Sequence, residues 1–141
     1  MKNKLKCILL IDDNFHDNFF HQIAINELDI TEKILLAADG FEALDLLKAK
    51  NACIPDLIFL DINMPRMNGW EFLDAYKEIK HSLKSKIIIV MLTTSSNPSD
   101  KKKADICEDL CGYTTKPLNT ETLSKIIHEH FPEVHPLEVG N

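Results

Sequence analysis

Glycine is scarce in this chain, with four residues (Gly40, Gly69, Gly112 and Gly140) among 141. Neither a GxxxxGK[ST] loop nor a GxGxxG turn can be placed on them, which excludes nucleotide binding through those phosphate cradles. Long apolar runs are missing too. The longest strongly apolar run, Ile87 to Leu92, is far too short to cross a bilayer. The apolar stretch after Lys2, Lys4 and Lys6 ends at Asp12-Asp13, so neither a signal peptide nor membrane insertion is expected. The four cysteines (Cys7, Cys53, Cys107 and Cys111) have no CxxC spacing and read as reduced, mostly buried thiols of a cytoplasmic protein. Basic residues are outnumbered, 16 against 22 acidic ones, and a formal charge of -6 repels the phosphates of nucleic acid, so direct binding of DNA or RNA is not expected. No GxSxG elbow, HExxH helix or EF-hand loop occurs, and the six histidines show no metal-ligand spacing.

What remains is an ordinary globular composition, 45% apolar and 27% charged, at a length that suits one domain. Apolar runs alternate with segments of helical period, the pattern of an α/β fold with a parallel sheet. Strands are expected at residues 6–11, 33–38, 56–60, 86–92 and 112–115. Between and after them, helices are expected at about 15–28, from Gly40 through Leu47, at 70–80, from a cap at Asn97 to about Leu110, and at 120–131. The first helix is expected to bury Phe20, Ile23, Ala24 and Leu28 and to leave Phe19 partly exposed. Residues 1–131 would form the domain, and residues 132–141, with two prolines, a loosely held tail.

Right-handed crossovers would wind five such units into one sheet with helices on both faces, and ligand chemistry would sit beyond the carboxyl ends of the strands. Those ends carry Asp12-Asp13, Asp61 in Asp61-Ile62-Asn63-Met64-Pro65, Thr93-Thr94-Ser95, and Lys116-Pro117. A lone aspartate at a strand end is usually a cap or turn former, but three carboxylates, a hydroxyl and a lysine at successive ends form a pattern. A like pair ~4 Å apart costs roughly 4 kcal/mol at an effective dielectric of 20, so a positive group must offset it. A hard, oxygen-seeking Mg2+ suits such a cluster, and Lys116 would add a point charge suited to phosphate.

On Asp12-Asp13, on Asp61 with Met64-Pro65 and Met67-Asn68-Gly69, on Thr93, and on Tyr113 with Lys116-Pro117, the sequence resembles the receiver domain of two-component response regulators. It is most similar to the stand-alone kind with no output domain, of the type known from chemotaxis. The resemblance runs from about Lys4 to Phe131. It implies a flavodoxin-like five-stranded parallel sheet in the order 2-1-3-4-5 with five helices on two faces. It implies Asp61 as the phosphoacceptor, Mg2+ held by Asp13, Asp61 and the backbone carbonyl of Asn63, and Asp12 acting mainly through a metal-bound water. Lys116 and Thr93 would contact phosphoryl oxygens, and Lys116-Pro117 would be a cis peptide. Thr93 and Tyr113 would form the switch. The donor would be a sensor histidine kinase or histidine phosphotransfer protein, docking on the first helix. The downstream protein target would meet the face of helix four, strand five and helix five. Such a chain is a signalling phosphoacceptor rather than an enzyme, slow self-dephosphorylation aside.

Some features depart from that pattern. An extra residue is expected near Ser95-Ser96-Asn97-Pro98, and Asn63 and Ser95, which flank the acceptor, are uncharged. Lys101-Lys102-Lys103 opens helix four against its dipole and reads as a solvated face or a contact for an acidic partner. Three rival functions remain. An aspartate-nucleophile phosphohydrolase would commonly carry a second aspartate where Asn63 stands. A phosphorylation-independent adaptor would not need the intact acidic set, and a flavin carrier would need a hydroxyl- and glycine-rich loop where Asp12-Asp13-Asn14 stands.

Overall fold

The computed structural model describes residues 3–50, 53–83, 86–94 and 96–138. Its elements alternate strictly: β1 (Ile8–Ile11), α1 (Phe15–Leu28), β2 (Ile34–Ala37), α2 (Gly40–Lys48), β3 (Leu57–Leu60), α3 (Gly69–Ile79), β4 (Ile88–Thr93), α4 (Pro98–Ile106), β5 (Gly112–Thr115) and α5 (Thr120–His130). The five strands form one parallel sheet in the order β2-β1-β3-β4-β5. This is the doubly wound, flavodoxin-like arrangement expected from the sequence.

The strand side chains divide by parity, as the pleat requires. Leu9, Ile11, Ile58, Leu60, Ile89 and Met91 face α2 and α3, where Ala43, Leu44, Leu47, Phe72, Leu73 and Tyr76 meet them. Ile8, Leu10, Leu57, Phe59, Val90 and Leu92 face α1 and α5, packing on Ala24, Ile25, Leu28, Leu123 and Ile127. Both faces of the three central strands are thus covered, which is why these strands read as continuous apolar runs rather than alternating ones. Side-chain oxygens of Asn14, Asp39, Asn68, Asn97 and Asn119 cap the five helices in turn. Each cap stands where the chain leaves the carboxyl edge of a strand, so the helix starts are anchored around that edge.

Three local expectations are corrected. In α1 the buried face is Asn18, His21, Ala24, Ile25 and Leu28, while Phe20 and Ile23 are exposed together with Phe15 and Phe19. The helix is rotated so that two polar side chains reach beneath the strand ends. Helix α4 stops at Ile106, short of Leu110. Asp105, Glu108 and Asp109 oppose the negative end of a helix dipole. Turning out of the helix lets Cys107 and Leu110 pack on the core and Asp109 pair with Lys80 at 2.9 Å. The tail is held through its described part: Val134 is buried and bridges to Asn3, and the Leu137 N–H donates to the Leu28 carbonyl at 2.9 Å. Residues 139–141 lie outside the described residues.

Candidate functional site

Strand register creates the site. Ile11 pairs with both Ala37 and Leu60, so the next residue of β1 and the next residue of β3 emerge side by side. The Asp12 N–H donates to Ala37 at 3.0 Å and the Asp61 N–H to Ile11 at 2.9 Å, carrying the parallel ladder one step past the strands. Asp12 and Asp61 are both buried, and Asp13 is exposed at the mouth. One carboxylate oxygen from each of Asp12, Asp13 and Asp61 lies within 4.8 Å of the others, and no other such group of three occurs among the described residues.

Each acid is oriented locally. Asp12 Oδ1 accepts from the Asn14 N–H at 2.9 Å, and its carbonyl accepts from Asn18 Nδ2 at 2.9 Å. Asp61 Oδ1 accepts from the Ile62 N–H at 2.9 Å. Behind Asp61 the chain turns sharply, and the Gly69 N–H donates to the Ile62 carbonyl at 2.8 Å. A Cβ on Gly69 would stand 2.4 Å from the Asp61 carbonyl oxygen and 3.1 Å from Ile62 Cα, so only glycine lets α3 begin this close to the acid. The same turn is tied sideways. Arg66, at φ 64°, reaches Asp39 at the α2 cap, with Nε 2.8 Å from Oδ2, and lies over the Phe41 ring at 5.3 Å. Burial alone would raise the Asp39 pKa, but the Glu42 N–H and Arg66 hold it below the usual carboxylate range.

Lys116 enters from the end of β5, its N–H donating to the Thr93 carbonyl at 2.9 Å, and the Lys116-Pro117 peptide is cis, as the resemblance implied. The ammonium lies 2.5 Å from Asp12 Oδ2, 2.7 Å from Asp17 Oδ2 and 3.7 Å from Asp61 Oδ2. Burial would lower the Lys116 pKa, yet its hydrogen bonds to Asp12 and Asp17 raise it overall, so it stays charged. Asp61 moves the other way: burial first, then the charge of Asp12, push its carboxyl up to about 6 against the opposing pull of Lys116 and the Ile62 N–H. His21, buried beneath the site, is held low by burial and by the lysine charge, and is neutral at pH 7.

Of the residues expected from sequence, Asp12, Asp13, Asp61 and Lys116 are brought together. Thr93 is fully buried at the end of β4, and Asn63 is exposed in the turn after Asp61. Tyr113 is half-buried on β5 with Lys101 Nζ 5.2 Å above its ring, beside a cavity of about 400 Å3 between α4 and β5. Ser95 lies outside the described residues. Two of the three helix-four lysines have partners in the chain itself: Lys101 over Tyr113, and Lys103 over Trp70 at 5.6 Å. Trp70 also donates to Asp100 at 3.0 Å, tying the start of α3 to α4.

The sequence reading missed Asp17, Asn18 and His21 as site residues and the Asp39–Arg66 tie. Their helical spacing was readable: Asp17 is one turn beyond Asp13, and Asn18 and His21 continue toward Ile25 and Leu28. What hid them was the stronger apolar signal of Phe19, Phe20 and Ile23 on the opposite side.

The donor set fits a hard divalent cation. It offers carboxylate oxygens without sulfur or imidazole, and burial together with the charge of Asp12 already disfavours the ionised form of Asp61, so a cation there relieves a cost already present.

Comparison with known proteins agrees with this geometry. The family model described as response regulator receiver domain matches residues 8–128. The chain is 33% identical over 129 residues to response regulator Rcp1 of Synechocystis sp., covering 89% of this chain and 86% of that protein. It is 32% identical over 126 residues to a probable methanogenesis regulatory protein, FilR2, of Methanothrix harundinacea, covering 86% of this chain and 79% of that protein. A two-component response regulator from Cytophaga hutchinsonii superposes with a TM-score of 0.80 at 31% identity, covering 92% of this chain and 99% of that one. The Mn2+-bound form of Rcp1 superposes at 0.72 and 30% identity, covering 96% and 99%.

Proposed function

Because this chain belongs to the response regulator receiver domain family of two-component signalling, we propose that it accepts a phosphoryl group on Asp61, with Mg2+ as its cofactor. The observation that carries this reading is the meeting of Asp12, Asp13 and Asp61 with Lys116 at one sheet edge. Asp61 is the acid best placed as nucleophile. A pKa near 6 leaves it mostly ionised at pH 7, its Oδ1 is fixed by the Ile62 N–H, and its Oδ2 faces the lysine.

An Asp61 oxygen attacks phosphorus as the P–N bond of a donor phosphohistidine breaks, leaving an acyl phosphate on the protein and the imidazole on the donor. Asp13, Asp61 and the Asn63 carbonyl, with Asp12 beside them, would hold Mg2+, which when bound would supply charge neutralisation for the incoming phosphoryl oxygens. Lys116 and Thr93 contact the remaining phosphoryl oxygens. No further group need carry a proton, so the reaction rests on positioning and charge rather than on acid-base work. Asn63 stands where a hydrolase would commonly place a second acid, which argues against turnover.

Donors are a sensor histidine kinase or histidine phosphotransfer protein in the cytoplasm, and the exposed Phe15, Phe19 and Phe20 of α1 are the surface for their helix. Thr93 and Tyr113 form the switch, with the cavity beside Tyr113 as the space in which the ring moves. The output is a changed α4-β5-α5 face that a protein target reads. Residues 1–131 carry all of these parts, with 132–141 as a tail.

The test is intact mass after incubation with acetyl phosphate, with and without Mg2+, for the wild type and Asp61→Asn. One labile adduct that needs both Mg2+ and Asp61 is the expected result. Absence of both adduct and donor turnover would instead support a phosphorylation-independent adaptor.

A further inference from the structure

Asp17 does not belong to the group of three acids, yet its Oδ2 lies 2.7 Å from Lys116 Nζ, almost as close as Asp12 Oδ2 at 2.5 Å. Its place is fixed before any ligand arrives. Asn14 caps α1 by accepting the Asp17 N–H at 3.0 Å, and a carboxylate in a helix's first turn is favoured by the dipole. The Asp17 side chain is 32% exposed, whereas that of Lys116 is 8% exposed. The lysine is therefore buried between an inner partner, Asp12, and an outer one, Asp17.

That arrangement matters when a divalent cation enters. In the structure Lys116 occupies Asp12 Oδ2 and lies 3.7 Å from Asp61 Oδ2, so it neutralises the acids a cation must use. A cation drawn to those acids repels the ammonium and displaces it from Asp12. With no second carboxylate, the displaced lysine would be a buried charge without a partner, which is among the costliest groups a protein can hold. We propose that Asp17 is a positioning residue for Lys116, a berth at the rim of the site that keeps the ammonium paired while Asp12 is released to the cation. This inference rests on the phosphoacceptor reading above and assigns to Asp17 a role that acts through the lysine alone.

The geometry gives the sign of the effect. Removing Asp17 leaves Lys116 held by Asp12 and Asp61, in competition with the metal, so cation affinity falls. The lost contact is a hydrogen bond between charged groups, partly replaced by water at this open rim, and the expected loss of affinity is about tenfold.

The experiment is calorimetric titration of the intact chain with MgCl2 for the wild type, Asp17→Asn, Lys116→Met and the double variant, and the readout is the cycle. Asp17→Asn should weaken Mg2+ binding about tenfold when Lys116 is present and less than about twofold in the Lys116→Met background. Asp17→Glu, which keeps a carboxylate within reach of Nζ, should recover most of the loss. It also guards against a fold lost through the helix cap. An equal loss in both backgrounds would mean that Asp17 acts on the cation through space, and would overturn the berth. Unchanged or tighter binding by Asp17→Asn would overturn it as well. A wild type that binds no Mg2+ would overturn the phosphoacceptor reading, and the berth with it. A wild type that binds Mg2+ and forms the Asp61 adduct, with no coupling in the cycle, would overturn the berth alone.

Discussion

Replacing Asp61 by asparagine should stabilise the metal-free protein while abolishing phosphorylation. The carboxyl is pushed up to about 6 from an ordinary 3.8, by burial first and by the charge of Asp12 second. A carboxyl with a raised folded pKa works against folding once it ionises. Below about pH 4 it is protonated in both states and contributes nothing. Between about 4 and 6 the folded state binds more protons than the unfolded one, so stability falls as pH rises, and above 6 the full penalty is present. At 1.36 kcal/mol per pKa unit the penalty is about 3 kcal/mol, and screening by solvent at the open Asp13 side leaves about 1.5 to 3. Asparagine keeps an oxygen for the Ile62 N–H and removes the charge. For a chain of this length that corresponds to a melting temperature roughly 5 to 10 °C higher for Asp61→Asn at pH 7.5 in a chelating buffer. The assay is a pair of thermal melts at several pH values, and the quantity read is the difference between variant and wild type. It should be near zero at pH 4, grow through pH 5 and 6, and level off above 7. Saturating Mg2+ should narrow the gap, because the wild type gains about 2.7 kcal/mol at a hundredfold excess over Kd and the variant, short of a ligand, gains less. A variant that melts below the wild type without metal, or a difference that does not change with pH, would refute the crowding argument.

Two further outcomes follow from the packing. Gly69→Ala should cost about 2 to 3 kcal/mol and prevent or slow adduct formation even where the protein is folded, because its Cβ would meet the Asp61 carbonyl at 2.4 Å and backbone has nowhere to yield; Gly112→Ala, whose Cβ would meet Val90 at 3.6 Å, is the tolerated control in the same melts and mass measurement. Val134→Asp should lower the urea midpoint by an amount equivalent to about 2 kcal/mol or more at unchanged m, since it places an unpaired carboxylate in the α1–α5 core; an unchanged midpoint would mean the tail does not pack there.

The alternation of strands and helices was legible because it depends on local apolar pattern, with Asn97 marking the start of α4; Asn14, Asp39, Asn68 and Asn119 are caps that the structure adds. The acids at the strand ends were legible for the same reason, Asp12 and Asp61 each being the first polar residue after an apolar run and Asp13 following Asp12. The rotation of α1 was not. Its strongest apolar side chains, Phe15, Phe19, Phe20 and Ile23, face outward, and the inner face opens with Asn18 and His21. Asn18 is needed there to hold the Asp12 carbonyl, so a tertiary requirement of the site overrides the hydrophobic pattern. The Lys116–Asp17 contact spans 99 residues and follows from the register of β5 and the tilt of α1, neither of which leaves a trace in spacing. The packed tail was illegible for a similar reason: the partners of Val134 and Leu137 are Asn3 and Leu28, at the far end of the chain.

Under the phosphoacceptor reading, the charges at the sheet edge also limit what the switch can do. Asp12, Asp13, Asp17 and Asp61 face one ammonium, an excess of three negative charges when all are ionised, and a phosphoryl group adds more. A divalent cation is therefore needed before a phosphoryl donor can approach, and Lys116, once released from Asp12, must turn its contact to a phosphoryl oxygen. Moving Lys116 pulls on the end of β5, which is tied to β4 through the Thr93 carbonyl, so the charge transfer is delivered to the strand that carries Tyr113. A swing from 1:99 to 99:1 needs about 5.5 kcal/mol of differential interaction. Charged contacts of Lys116 and Thr93 contribute about 1.5 to 3 kcal/mol each, and reach that figure only at their upper limit. Against them stands the resting arrangement, in which Lys101 covers the Tyr113 ring and Trp70 holds Asp100 of the same helix. Phosphorylation alone thus shifts the α4-β5 face part of the way, and a target that binds the inward Tyr113 supplies the remainder through its own contacts.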